Sequence, residues 1–438
     1  MAMKYIACAA VPLLMAALPA QAVTVEQLNQ QVQQMNKRIS EQNNKLRING
    51  FASFGLSLSD EEIEYNGVND EVNFNRFSKV GVQMSFNIDA NNSVVTQLVS
   101  RGENEWNTEA EWAYFKHNFG SGFSSKIGRI RLPAFMLSEF LDVGYAVPWA
   151  KMPNETYNSL TPFSNMDGVD LTYNTDIGDL SATFQIAYGR SKDSQYDLKG
   201  IIATNAMLQG DAWTARVAYS VADDVNIIDE DIQAVVGYLY GSEVSEIKGS
   251  FTSIGFTYDP GDIYFTTEYA RLEVDGAVVD ADSAYATLGY RMGQFMPLIT
   301  YAMTTSEDDE ERELTKILEN NPVVADPATL TQALAGAGAT TTAQQVAALE
   351  AAALDPDNAL YDVGFGGKAF QAESDRDTTR IGLGLRYDMS PGTALKVQYD
   401  IIDTGDKAGM FDSRTFAAAG SSAPDSTNIL TITIDTVF

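Results

Sequence analysis

Hydrophobic and polar residues alternate with a period of two along most of the chain after residue 46. One clear case is the segment 80–88, and the pattern recurs near 48–58, 180–186, 381–387 and 430–436. Successive side chains of a β-strand point to opposite faces, so this pattern predicts strands with one apolar and one polar face.

The alternating segments run for about ten residues or more, which is the length that crosses a bilayer as a tilted strand. Strands of soluble sandwiches are usually about five or six residues long. Short turns such as Asp89–Asn92, Gly120–Gly122 and Ser390–Gly392 alternate with long polar stretches. Short turns at one end and long loops at the other are typical of outer-membrane barrels.

The predicted fold class is all-β, a sixteen-stranded antiparallel transmembrane β-barrel over residues 46–438. An even count is usual for single-chain bacterial barrels. Two long connections interrupt it: 131–165 after the fifth strand, and 306–376 after the thirteenth, with helix-prone pieces near 327–338 and 341–354. The predicted strands lie near 46–58, 76–88, 93–101, 106–118, 123–130, 166–175, 180–190, 206–221, 230–240, 249–258, 263–273, 283–292, 295–305, 377–388, 393–402 and 428–438.

The segment before the barrel predicts export and self-association. Lys4, an apolar stretch and the small residues Ala20 and Ala22 predict a signal peptide over 1–22, cleaved after Ala22. Residues 23–45 carry apolar side chains at spacings of three and four, which predicts a short coiled-coil helix in the periplasm. An amphipathic helix lying on its own domain is the alternative.

Charge excludes one class of partner. The chain has 29 basic and 59 acidic residues, a net charge of −30, which argues against nucleic acid, whose phosphates demand a basic surface. The acidic runs at 60–71, 307–313 and 373–377 predict solvated loops, or a rim that binds divalent cations or attracts cationic solutes.

The sequence contains no motif that indicates catalysis, and no cofactor or metal is expected. The sequence has no HExxH, nucleotide-binding loop or CxxC pattern. The single histidine, His117, falls on the inward parity with Glu109 and Glu111, whereas an outer-membrane phospholipase needs a lipid-facing Ser–His pair. A TonB-dependent transporter would need a large plug domain before the barrel, where this chain has only 23–45.

The order of parts resembles the Gram-negative general porins, and in particular a subgroup with an N-terminal coiled coil. The stretches that carry the resemblance are Lys126–Pro133, Tyr145–Trp149 and Pro162–Val169. The end Thr431–Phe438 resembles the signal, with its terminal Phe438, by which the barrel assembly machinery recognises its clients. The resemblance implies a homotrimer in the outer membrane, among lipid and lipopolysaccharide. Its third extracellular loop would fold into each pore, through which small hydrophilic solutes and ions diffuse passively.

A barrel of about sixteen strands leaves an aqueous lumen, and charged side chains at its narrowest point set selectivity. The loop 131–165 carries acids and a lysine among four prolines, which stiffen it. The alternation places basic residues on the inward face opposite: Arg47, Lys79, Arg101, Lys126, Arg216, Arg291, Arg386 and Lys396. Arg129 and Arg131 stand where the loop begins, and a bulge could turn either inward. The predicted pore constriction comprises Arg101, Arg129, Arg131, Glu139, Asp142, Lys151, Glu155, Arg216, Arg291 and Arg386.

Acids on a loop opposite arginines on a wall would create a transverse field that orients polar solutes. Alternatively, some of these arginines only pair with neighbouring acids and hold the wall together. The basic wall favours anions and the acidic outer loops favour cations, so both selectivities remain open. A second functional hypothesis is a structural or adhesion barrel that acts through its coiled coil and extracellular loops.

Overall fold

The computed structural model describes residues 45–160, 164–193, 196–228, 247–275, 279–307, 338–352, 374–405, 407, 409–412 and 423–438. The predicted signal peptide 1–22 and all but the last residue of the predicted coiled coil 23–45 lie outside the described residues.

Sixteen antiparallel strands form a closed barrel in which β1 pairs with β16. This confirms the predicted fold class. The described α-helices are α1 (Asn154–Tyr157) and α2 (Thr342–Ala352), and no helix in the described part of the chain is long and apolar enough to cross a membrane. The strands are β1 (Leu46–Ser59), β2 (Lys79–Asn87), β3 (Asn92–Arg101), β4 (Thr108–Gly120), β5 (Phe123–Arg131), β6 (Asn165–Ile177), β7 (Leu180–Lys192), β8 (Tyr196–Gln209), β9 (Trp213–Ile227), β10 (Ile247–Tyr258), β11 (Ile263–Val274), β12 (Ala281–Tyr290), β13 (Phe295–Ser306), β14 (Asp377–Ser390), β15 (Thr393–Asp403) and β16 (Ser426–Val437).

One predicted strand, 206–221, is wrong because a turn divides it. The chain reverses between β8 and β9, where the backbone N–H of Gly210 bonds to the carbonyl of Trp213 at 2.9 Å. Gly210 and Asp211 form a turn signal that the alternation on both sides conceals. The predicted strand 230–240 lies outside the described residues, and β8 begins within a stretch predicted as loop.

The two faces of the barrel differ as the alternation predicts. Large apolar side chains such as Phe54, Ile186 and Ile254 are exposed on the outer face. Polar side chains such as Ser253 and Glu268 are buried inside. An apolar outer band is what a lipid bilayer requires of a barrel wall.

A β-bulge in β4 changes the direction of the side chains after it. The register with β3 shifts between Gln97 and Leu98, and Glu111 is the extra residue. Beyond the bulge Tyr114 faces the lumen, where Lys126 lies 5.6 Å from its ring centre. His117 lies on the outer face beside Phe119, with ring centroids 4.6 Å apart, so its predicted inward position is wrong.

The ends of the barrel differ in their connections. Short turns join strands at one rim, where the carbonyl of Phe438 accepts a hydrogen bond from the N–H of Gly50 at 2.6 Å. The longer loops lie at the other rim. The connection predicted as 306–376 runs from the end of β13 to the start of β14 and contains α2, within the predicted helical piece 341–354. The piece 327–338 lies outside the described residues except for its last residue.

Candidate functional site within the barrel lumen

Residues 132–160 of the connection between β5 and β6 lie inside the barrel and are called the lumen loop below. The lumen loop leaves the long-loop rim after Arg131, and its Tyr145 reaches the opposite rim. There the hydroxyl of Tyr145 accepts a hydrogen bond from the backbone N–H of Gly392, in the turn between β14 and β15, at 3.3 Å. The lumen loop therefore extends through the height of the barrel.

Aromatic side chains attach the lumen loop to the wall formed by β10–β13. Phe135 packs against Phe251 of β10, with ring centroids 5.0 Å apart. The indole N–H of Trp149 donates to the hydroxyls of Thr287 and Thr300, each at 3.0 Å. Burying an aromatic side chain stabilises a fold by about 1.5–3 kcal/mol, and the paired indole N–H avoids the cost of an unsatisfied donor.

A wall carboxylate fixes two further points of the lumen loop. Glu268 of β11 accepts hydrogen bonds from the backbone N–H of Met136 at 2.6 Å and from the hydroxyl of Tyr157 at 2.8 Å. Ser253 of β10 donates to the carbonyl of Ala134 at 2.5 Å. These contacts hold both the first and the last third of the loop against the same wall.

Two inward cations of the adjacent strands β14 and β15 bind loop carbonyls. Lys396 of β15 donates from Nζ to the carbonyl of Gly144 at 2.6 Å. Arg386 of β14 donates from Nη1 to the carbonyls of Tyr145 and Val147 at 2.9 and 3.0 Å. Arg386 therefore binds the backbone of the loop, and it also pairs with Asp388 at 2.9 Å.

Asp142 forms the first of two ion clusters between loop and wall. Its carboxylate accepts bonds from Arg101 at 2.6 Å and Arg131 at 2.8 Å, while Lys79 lies 3.9 Å away. Arg101 also binds the buried Glu111 at 2.6 Å. Burial alone would raise the pKa of Asp142, but the charges of Arg101, Arg131 and Lys79 outweigh it and hold that pKa well below its usual range.

Glu155 forms the second cluster with Arg380, which is not among the predicted constriction residues. Arg380 of β14 is fully buried and donates from Nε to Glu155 at 3.0 Å and from Nη1 to Asp400 at 2.8 Å. Arg380 has the same parity as Arg386 on β14, so alternation places both in the lumen. No sequence signal distinguishes the one that meets a loop carboxylate.

Lys151 is the loop cation, and it is buried, with 2% of its surface exposed. Its ammonium lies 5.7 Å from the ring centre of Tyr65, and within the described ranges it has no hydrogen bond or ion pair. Burial lowers the pKa of Lys151, and the charge of Asp400 opposes that effect.

The other predicted residues are placed separately. Glu139 is exposed on the loop and interacts electrostatically with Arg216 of β9. Arg291 bonds to Asp259 in the turn before β11, at the short-turn rim.

Arg129 and Arg131 point to opposite sides of the wall. Arg129 binds Asp167 on the outer face at 2.9 Å, whereas Arg131 turns inward to Asp142. The structure therefore brings Arg131 to the loop carboxylate, and Arg129 takes no part in that cluster.

A cavity of about 230 Å³ separates the lumen loop from the wall formed by β1–β3 and β16. Four basic and three acidic side chains line it: Arg76, Lys79, Arg101, Lys151, Glu103, Asp142 and Asp435. Arg76 belongs to the loop before β2 and, like Arg380, is not among the predicted constriction residues.

A closed barrel with an apolar outer face and a charged, loop-containing lumen defines an outer-membrane channel protein. A family model for Gram-negative porins matches residues 7–407. The chain belongs to the Gram-negative porin family and resides in the outer membrane.

Solved structures share this fold at low sequence identity. The anion-selective porin from Comamonas acidovorans is 11% identical, with a TM-score of 0.53, and the match covers 90% of this chain and 99% of that one. OmpF of Salmonella typhi, solved with daunomycin, is 12% identical, with a TM-score of 0.52 and coverage of 90% and 97%. The trimer form of OmpT from Vibrio cholerae is 9% identical, with a TM-score of 0.51 and coverage of 90% and 99%. No curated protein matches the chain.

Proposed function

We propose that this protein is a passive diffusion channel for small hydrophilic solutes and ions, without catalytic activity. The observation that carries the proposal is the charged cavity left between the lumen loop and the wall of β1–β3 and β16. The loop is fixed by ion pairs and by backbone hydrogen bonds on both sides of the barrel, which supports a constriction of constant width.

The preference of the channel for anions or cations depends on the charged side chains that are not already in ion pairs. Asp142 and Glu155 are each bonded to wall arginines, so their negative charges are already paired. Lys151 and Arg216 have no ion pair within the described residues, and Glu139 is the exposed acid of the loop. These unpaired cations support a preference for anions in the lumen.

Planar-bilayer recording of the purified, folded protein tests the proposal. We expect stepwise conductance, and a reversal potential in a potassium chloride gradient that reports anion preference. Arg216→Gln should shift the reversal potential toward cations. Arg129→Gln is the matched control, because it removes the same charge from the outer face and should leave the potential unchanged. Folded protein that never conducts would contradict the channel itself.

We also propose that the protein is a homotrimer and that residues 23–45 strengthen its association. The family supports the trimer, and the heptad spacing supports the coiled coil. Deletion of 23–45 should lower the heat stability of trimers on native gels relative to the full mature chain. Monomers in both samples would contradict the trimer, and equally stable trimers would contradict the coiled coil.

A further inference from the structure

Lys151 carries a buried charge whose nearby acids are already bonded. Asp400 and Glu155 act on it electrostatically, yet both accept hydrogen bonds from Arg380, at 2.8 and 3.0 Å. Lys151 lines the cavity, and its ammonium can find a hydrogen-bond partner there, since a buried charge without one is costly. The group is therefore suited to a ligand that supplies an anionic oxygen.

Arg76 brings a second cation to the same cavity. It binds Glu103 and donates from Nη2 to the side-chain oxygen of Asn66 at 2.7 Å, but its buried Nε has no hydrogen-bond partner within the described residues. Arg76 also acts on Lys151 as a repelling charge. Two like charges beside one cavity are stabilised when an anion lies between them.

We propose that this cavity binds a small oxyanion, a carboxylate or a phosphate, through Lys151 and Arg76. Lys79 lines the same cavity and adds positive charge. A volume of about 230 Å³ admits an anion of a few heavy atoms. The position of this site on the solute path rests on the proposed function. Anions that pass through the channel then bind at the site on their way.

Isothermal titration of the folded protein in detergent tests the site without requiring conduction. Sodium malonate and inorganic phosphate are the probes, and glycerol is the neutral control. We expect malonate or phosphate to bind and glycerol not to bind. Lys151→Gln should weaken binding about tenfold or more, because it removes a charge-assisted hydrogen bond. Lys248→Gln removes the same charge from an exposed position on β10 and should bind as the unmodified protein does.

Arg76→Gln provides a second variant, since replacing the fully buried Lys151 could impair folding. It should also weaken anion binding, and heat-modified mobility on gels will show whether each variant is folded. Absence of anion binding to the unmodified protein would overturn the site, and so would an affinity in both folded variants equal to that of the unmodified protein.

Conductance distinguishes this result from failure of the channel. A protein that conducts but does not bind anions contradicts only the binding site. A protein that binds anions but never conducts contradicts only the channel. If the site lies on the path, malonate should reduce chloride current in the unmodified protein and have about tenfold lower potency in folded Lys151→Gln.

Discussion

The hydroxyl of Tyr145 accepts a hydrogen bond from the backbone N–H of Gly392, at 3.3 Å, although the loop that carries Tyr145 begins at the opposite rim. The lumen loop consequently interacts with the wall at several levels between the two rims. Many contacts hold the lumen loop in place, and single substitutions can remove its ion pairs one at a time.

Asp142→Asn should loosen the lumen loop. The substitution removes one of the two carboxylates that Arg101 and Arg131 share, and only Glu111 remains to pair with both. Breaking a buried ion pair by removing one partner destabilises by up to about 3–5 kcal/mol. We expect a lower unfolding temperature and a larger single-channel conductance. Asp211→Asn, in an exposed turn, is the control. If both properties stay as in the unmodified protein, Asp142 does not hold the loop.

The contribution of Asp142 should depend on pH only in strong acid. Although burial raises its pKa, Arg101, Arg131 and Lys79 lower it to a greater extent, below the ordinary value of 3.8. A carboxyl with a depressed folded-state pKa stabilises fully above its unfolded pKa and loses that effect as pH falls through the folded pKa. The difference in unfolding temperature between the unmodified protein and Asp142→Asn should stay constant above pH 3.8 and shrink below it. A difference in unfolding temperature that already shrinks near neutral pH would contradict the lowered pKa of Asp142.

Arg380→Met should destabilise the protein more than Glu155→Gln does. Loss of Arg380 leaves two buried carboxylates, Glu155 and Asp400, without their guanidinium, whereas Glu155→Gln leaves Arg380 bonded to Asp400. We expect a cost of about 3–5 kcal/mol for the arginine variant, and less for the glutamine variant. Unfolding monitored by circular dichroism would give the order. The reverse order would show that Asp400 is satisfied without Arg380.

Gly144→Ala should displace the lumen loop from the wall. A Cβ at residue 144 would overlap the side chains of Asp435 and Ser53. We expect altered conductance, because the loop must move toward the lumen. Gly249→Ala on β10 is the control, since its Cβ would lie 3.6 Å from the nearest atom, an ordinary contact. Identical conductance in both variants would show that a Cβ at residue 144 fits without moving the lumen loop.

The fold was predictable because successive residues of each strand face lipid and lumen in turn, and lipid favours apolar side chains whereas the lumen favours polar ones. This rule located strands such as β2 and β16 within a few residues. It failed at Gly210, where apolar residues continue the pattern on both sides of a turn of three residues. It also failed at His117, because the bulge at Glu111 shifts the register without a sequence signal.

The sequence predicted several of the charged residues that meet in the lumen, but not how they pair or which path the lumen loop takes. Asp142, Glu155 and Arg101 were predicted to face each other across an opening. In the structure Asp142 pairs directly with Arg101, and Glu155 pairs with Arg380, which was not predicted. The path of the lumen loop depends on contacts between distant parts of the chain. Trp149, for example, bonds to Thr300, 151 residues away. Local patterns hold no information about such a pair.

Ser53 and Asp435 are partners across the seam between β1 and β16, and Gly144 lies over both. In chain order β16 comes last. The surface that receives this strand therefore includes the lumen loop as well as the edges of β1 and β15. A chain shortened before β16 would therefore lack both the closure of the barrel and the surface on which Gly144 packs.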